Sequence, residues 1–265
     1  LNFQQFSKVV KTLVGFSLKE VDRAIVQAHY LKDQFEPYIP LDKVEVLYQA
    51  MDVAQYSNSD DYTVITGKVL VMGHMTKAKG YTDILKIIPD ICDEFPRVKF
   101  YFAGNIRKGE RGVFYNQFSG EKITYEDPFE AEEVILNSIY KENYINLGII
   151  SGEDKMKHLQ TTDVFLTASY SEGFSRSLLE AMSMGKPVVF TPVGAHREVF
   201  KNGIHGFSFE PGNLEQLKKA LKSLLVNDEK RLDIGLNNRA NVVSNFSIET
   251  ISSHFKMIIT NTLAS

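Results

Sequence analysis

The chain has 265 residues, 43% of them hydrophobic and 24% charged, enough to bury one large core or one core with a fragment of another. A formal net charge of −3 gives no electrostatic case for nucleic acid, and the single cysteine, Cys92, excludes an internal disulfide framework and fits a reducing compartment. No apolar run approaches the ~20 residues of a spanning helix and the start lacks a signal-peptide layout, so the sequence reads as cytoplasmic, with peripheral membrane contact left open.

The sequence begins at Leu1 without an initiator methionine, which reads as a cut, and Phe3, Phe6, Val9, Val10 and Leu13 then follow at helical spacing. Residues 21–27 predict a strand, 29–36 a short helix before Pro37, and 43–48 another strand. The polar stretch 57–62 is the best linker candidate. Residues 68–73 predict a buried strand, and 80–94 a helix carrying Ile84, Leu85, Ile87, Ile88 and Ile91 that Phe95 and Pro96 close. Residues 98–104 form a strand pattern ending at Asn105, a position where open parallel sheets bind ligands. The connection 106–126 is long and mixes Arg107, Lys108 and Arg111 with Phe114, Tyr115 and Phe118. It is read as a solvated excursion pinned by its aromatics, the alternative being a lid over an acceptor. A helix over 129–140, a strand over 144–148 and a helix over 153–160 follow.

The stretch 161–194 packs a strand, a turn, a helix and a second strand with almost no spare residues. Val164, Phe165 and Leu166 are a short apolar run that Ser169, Tyr170 and Ser171 interrupt before Gly173 allows a sharp turn. Leu178, Leu179 and Met182 recur at helical spacing, Gly185 is placed as the C-terminal cap, and Pro187 cannot continue the helix. Residues 187–191 read as a strand covered on both faces, so the unit is strand, helix, parallel strand with a right-handed crossover. The first amides of its helix lack internal partners, so Gly173, Phe174 and Ser175 can receive an anion. Glu172 in the turn and Glu180 inside the helix stand roughly 12 Å apart if all intervening residues are helical, a span suited to different parts of one ligand. Taken alone, the pair reads first as a glutamate complementing the helix dipole and another facing solvent.

The ordered set of Glu172 and Glu180 around a Gly-Phe turn, the Gly185-Lys186-Pro187-Val188 strand entry, the glycine loop 193–196 and the turn 202–206 resembles the donor-binding core of family 4 (group 1) glycosyltransferases, retaining enzymes of GT-B fold. The resemblance implies an α/β fold, a Rossmann-like parallel sheet with helices on both faces, with a remnant of an N-terminal acceptor domain. On this view residues 1–56 are the tail of the acceptor domain and linker, 57–245 the nucleotide-sugar (donor) domain, and 246–265 a helix packing back on the N-terminal segment. It also implies metal-independent transfer of a sugar from a nucleoside diphosphate sugar to a glycan, lipid or other acceptor, with no cofactor.

Residues 73–80 resemble the family's Gly-Arg-Leu-x-x-x-Lys-Gly loop, whose arginine and lysine hold the donor diphosphate. Gly73 and Lys79 match, but His74 stands at the arginine, without permanent charge or a bidentate fork. Either Lys77 supplies the missing charge or His74 binds phosphate as imidazolium; otherwise both are solvated loop residues. The implied roles are catalytic for Lys79 and Glu172, the lysine on the leaving diphosphate and the glutamate on the sugar. Glu180 takes the ribose hydroxyls, Asn105, Gly194 and Ala195 add donor contacts, and the amides of Gly173, Phe174 and Ser175 meet phosphate. His196 contacts the sugar or is a capping or core histidine, and Glu198 is structural. The segment 149–151 lies beside the nucleotide base.

Asn213 and Gln216 make a capping-box signature for a helix whose apolar face is Leu217, Leu221, Leu224 and Leu225, and a last helix from Ser247 carries Ile248, Ile251, Phe255, Ile258 and Ile259. No Gly-x-Gly-x-x-Gly, P-loop, Asp-x-Asp or ligand-spaced His/Cys cluster occurs, which sets aside oxidoreductase, NTPase and metal-centred readings. The alternatives are a non-catalytic nucleotide-sugar binding module and a sugar phosphorylase of related architecture.

Overall fold

The computed structural model describes residues 7–57, 62–107 and 114–264, so Phe3, Phe6, Lys108, Arg111 and most of the 57–62 linker lie outside the described residues. The N-terminal segment contains helix α1 (Lys8–Lys19), strand β1 (Ala24–Val26), the one-turn helix α2 (His29–Lys32) and strand β2 (Val44–Val46), with β1 and β2 paired in parallel. The predicted helix over 29–36 is split, because a tighter 3-10 turn at Asp33–Phe35 takes over after α2.

The main body is built on β3 (Lys68–Met72), β4 (Lys99–Ala103), β5 (Tyr144–Gly148), β6 (Val164–Leu166), β7 (Val188–Phe190) and β8 (Gly206–Ser208). They form one all-parallel sheet in the order β5-β4-β3-β6-β7-β8. The chain thus lays strands to one side of β3 and then to the other, which makes the gap between β3 and β6 the switch point, where such sheets bind ligands beyond their C-terminal ends.

Helix α3 (Tyr81–Glu94) covers one face with Ile84, Leu85, Ile87, Ile88 and Ile91, all at most 2% exposed. Each such side chain contributes about 1.5–3 kcal/mol, and together they explain why α3 follows its apolar period closely. Helix α4 (Pro128–Leu136) is shorter than the predicted 129–140 and is capped by Asp127, whose carboxylate accepts from the Phe129 amide; α5 (Gly152–Gln160) follows β5. Helix α6 (Arg176–Ser183) ends as expected: Gly185 adopts φ +64°, its amide donates to the Met182 carbonyl and the Lys186 amide to the Ala181 carbonyl, a Schellman closure.

After α7 (His196–Val199), α8 (Leu214–Leu225) buries Leu217, Leu221 and Leu224. Asn213 caps α8 through the Gln216 amide, but the Gln216 side chain accepts from the Glu210 amide, so the box is not reciprocal. Helices α9 (Asp228–Phe246) and α10 (Ile248–Leu263) complete the chain. The last helix meets the N-terminal segment at its start, where Met51 bridges Ser247 and the Ile248 amide donates to the Met51 carbonyl. Beyond Ile251 the stripe opens to solvent, with Phe255 and Ile259 exposed.

Candidate active site

A cavity of about 450 Å³ lies over the switch point, beyond the ends of β3, β4 and β6 and against the first turn of α6. Gly73, His74, Lys79, Asn105, Glu172, Phe174 and Ser175 all line it, together with Arg107, Ile149, Ser169, Arg176 and Ser177. Four separate sequence segments therefore converge on one hollow because parallel strands all deliver their exits to the same edge.

The strand–turn–helix geometry sets the carboxylate. The Glu172 side chain is 12% exposed, and its Oε1 lies 2.7 Å from Lys79 Nζ and accepts from Ser169 Oγ at 2.7 Å. Gly194 presses on this turn from behind: at φ +58° it brings its α-carbon so close that a Cβ would sit 2.3 Å from the Glu172 carbonyl oxygen. Only glycine fits there, and the loop of Gly194 thereby fixes the height of Glu172. Gly194 and Ala195 themselves do not line the cavity, and the Ala195 amide is engaged by the Gly173 carbonyl at 2.9 Å, so the sequence-based assignment of a direct donor contact to Ala195 through its amide is corrected to support of the turn. Gly173, likewise, stands behind the lining, whereas Phe174 and Ser175 reach it; Ser175 also caps α6, its Oγ accepting from the Leu178 amide.

Glu180 departs from expectation. It is 4% exposed, does not line the cavity, and its Oε1 is held by Tyr56 Oη at 2.8 Å and Lys155 Nζ at 2.9 Å, with Arg176 Nε at 3.4 Å. All of these contacts use Oε1, so Oε2 is the oxygen left over. Burial alone would lower Lys155, but its bonds to Tyr56 and Glu180 hold the ammonium above the usual lysine range, while burial pushes the Tyr56 phenol up. Sequence reasoning missed Tyr56 and Lys155 altogether; Arg176, four residues before Glu180, was legible as a helical i,i+4 pair.

The two basic candidates beside the loop resolve differently. Lys77 is buried and pairs with Asp83 at 2.6 Å and Glu126 at 3.2 Å, so it is neither solvated nor a ligand for the cavity. His74 is exposed at the cavity wall, and partial burial, then Arg107 and Lys79, lower its pKa, which disfavours the imidazolium considered from sequence. His196 is wholly buried among Phe174, Phe190 and Phe200, donates from Nδ1 to the Thr191 carbonyl, and is kept neutral by burial: a core histidine.

The described part of the 106–126 connection is docked, though not by Tyr115 or Phe118, which are exposed. Gln117 does the docking: its Oε1 accepts from the Glu172 amide at 3.0 Å and its Nε2 donates to Tyr30 Oη, which in turn donates to the Glu172 carbonyl at 2.9 Å. Both backbone groups of Glu172 are thus held from outside its own segment. Glu198 ties the same region to the N-terminal segment, its two oxygens accepting from the amides of His29 and Tyr30 at 2.9 and 2.8 Å, as a structural role requires.

The model of the family "Glycosyl transferases group 1" matches residues 65–241. The chain belongs to this family. Among curated relatives, spore coat protein SA of Bacillus subtilis is 27% identical over 190 residues, covering 70% of this chain and 46% of the relative. Alpha-galactosylglucosyldiacylglycerol synthase of Streptococcus pneumoniae is 26% identical over 202 residues, covering 71% and 47%. The chain spans about half the length of the curated relatives it matches. Among solved structures, Anabaena HepE in complex with UDP superposes with a TM-score of 0.80 at 19% identity, covering 97% of this chain and 69% of that one. The C-terminal domain of a group 1 family protein, LpcC, from Francisella tularensis gives a TM-score of 0.62 at 19% identity, covering 75% of this chain and all (100%) of that domain. The fold is therefore that of a GT-B glycosyltransferase, as the sequence pattern implied. Among the described residues no helix is long and apolar enough to cross a membrane.

Proposed function

We propose that this glycosyltransferase chain is the donor-binding half of a retaining enzyme that moves a sugar from a nucleoside diphosphate sugar to a glycan or lipid acceptor. The supporting observation is the convergence of Lys79, Glu172 and the first turn of α6 on one cavity at the switch point. A diphosphate there would meet the Lys79 ammonium and the free amides at the start of α6, which offset the charge that develops as the leaving group departs. No metal is needed in this scheme, because lysine and helix amides supply the positive field. Glu172, held by Lys79, Ser169 and the two outside contacts to its backbone, orients the sugar; Glu180 offers Oε2 to the ribose hydroxyls; exposed Ile149 lies on the side of the base.

In the proposed step the bond from the anomeric carbon to the phosphate oxygen breaks as the acceptor hydroxyl oxygen bonds to the same face of that carbon. The acceptor proton passes to a donor phosphate oxygen, so the products are the glycoside and the nucleoside diphosphate. The work of this chain is to hold the diphosphate and keep the sugar face aligned.

Titration calorimetry with UDP, GDP, ADP and dTDP tests the reading, UDP first because the neighbour HepE was captured with it. Binding by at least one of them that falls about tenfold or more in Lys79→Ala supports it, in line with a lost charge-assisted contact of ~1.5–3 kcal/mol. Absence of binding by all four, or indifference to Lys79→Ala, refutes it.

A further inference from the structure

The loop after β3 lacks the arginine that its family pattern carries: His74 has neither the permanent charge nor the planar fork of a guanidinium, and Lys77 is engaged by Asp83 and Glu126. The neighbouring strand does supply such a group. β4 leaves the sheet at Gly104, and residues 105–107 run alongside residues 73–75, held by the Met75 amide on the Asn105 carbonyl at 2.9 Å and by a parallel bridge from Met75 to Ile106. The two exits are as close as backbone allows, for a Cβ on Gly104, at φ +147°, would lie 1.8 Å from the Gly73 carbonyl oxygen.

Arg107 is the next residue, and its side chain lines the cavity with His74 and Lys79. Adjacent strands are separated by only about 4.8 Å, a displacement that an arginine side chain spans easily. Lys79 faces Glu172 and Arg176 faces Glu180, whereas among the described residues no carboxylate pairs with Arg107. An exposed guanidinium without a carboxylate partner among the described residues, on the wall of a cavity that already holds a lysine and a helix N-terminus, is a site for an anion with several oxygens.

We propose that Arg107 is the second diphosphate-binding cation of this site, supplying from the end of β4 the permanent charge that the His74 position does not carry. Its planar fork takes two phosphate oxygens at once, opposite the point charge of Lys79. This assignment rests on the nucleoside diphosphate reading and names the residue that completes it.

The test measures affinity for the binding nucleoside diphosphate, UDP first, and for the matching nucleoside by displacement, in the wild-type chain and in variants. Arg107→Ala is expected to weaken the diphosphate about ten- to thirty-fold while leaving nucleoside affinity and the melting temperature unchanged. Arg107→Lys, which keeps charge without the fork, falls between. Adding His74→Arg to Arg107→Ala returns most of the lost affinity, because it restores a guanidinium on the adjacent strand exit. If Lys79→Ala weakens binding and Arg107→Ala does not, or if nucleoside and diphosphate weaken equally, the assignment is overturned while the wider reading stands. If no diphosphate binds the wild-type chain, both fall.

Discussion

Replacing Lys155 by methionine probes the arrangement that fixes Glu180. The pair is 2.9 Å apart with side chains 21% and 5% exposed, and Tyr56 donates to the same carboxylate oxygen. At an effective dielectric of about 20, the direct attraction at that distance is roughly 6 kcal/mol. Desolvation of the lysine offsets part of it, and in the variant Tyr56 and Arg176 continue to hold Glu180. The net loss is then about 2–3 kcal/mol, at or just below the range for breaking a buried pair, or a fall in melting temperature of roughly 5–10 °C for a domain of this size. Urea unfolding followed by circular dichroism measures it. Methionine keeps the aliphatic stem, so the loss reports charge and not packing. Adding Glu180→Gln to Lys155→Met removes the bare carboxylate and brings stability back to within about 1 kcal/mol of Glu180→Gln alone, a coupling of at least ~1 kcal/mol. Were Lys155→Met to match wild type within ~0.5 kcal/mol, or the double variant to be no more stable than Lys155→Met, the pair would not be what positions Glu180.

Glu198→Ala removes both side-chain acceptors at the start of α2; the expected cost is about 2 kcal/mol, and hydrogen exchange should accelerate over residues 24–48 more than in the main sheet, whereas uniform acceleration would deny the anchor. Although burial alone would raise it, the Glu126 carboxyl is held down at about 2 by Lys86, Thr82 and Lys77. A depressed carboxylate contributes stability that is full above its unfolded pKa of 4.5 and is lost as pH falls from there towards 2. With the side chain 36% exposed, solvent screening leaves only part of that shift as stability. Glu126→Gln should therefore flatten the acid limb of the pH–stability curve between pH 4.5 and 2 and leave its neutral part nearly parallel to wild type; an unchanged acid limb would count against the clamp.

Local signals were legible where one stretch of chain contains both partners. The unit from β6 through α6 to β7 follows from apolar runs, a glycine turn and a Schellman end, all within 27 residues of sequence from Val164 to Phe190. Its Glu172 and the Lys79 loop were found by resemblance, and the sheet brought them within 2.7 Å. Helix α9 went unpredicted because polar residues and a glycine interrupt the inward face on which Ile234, Val242 and Phe246 are buried. Arg231 pairs with Asp163 at 2.8 Å, Asn238 donates to the Lys186 carbonyl, Arg239 donates to the carbonyls of Val53, Tyr56 and Ser183, and Gly235 packs on Gly185. No unbroken apolar period marks such a helix. Strand β8, three residues long, is likewise defined by pairing with β7 and not by its own composition.

The sequence by itself determined the layers, the turn that presents Glu172 and the glycine behind it, because burial of apolar side chains and the steric limits of a tight turn are written into adjacent residues. Tertiary structure alone decided which polar groups meet: Glu180 finds Tyr56 from 124 positions away and Lys155 from 25, and Arg107 comes alongside His74 only because β3 and β4 are neighbours in the sheet. A charge has no period along the chain and is satisfied by whichever opposite group the packed backbone brings near, so partners of this kind appear only once the strands are in order.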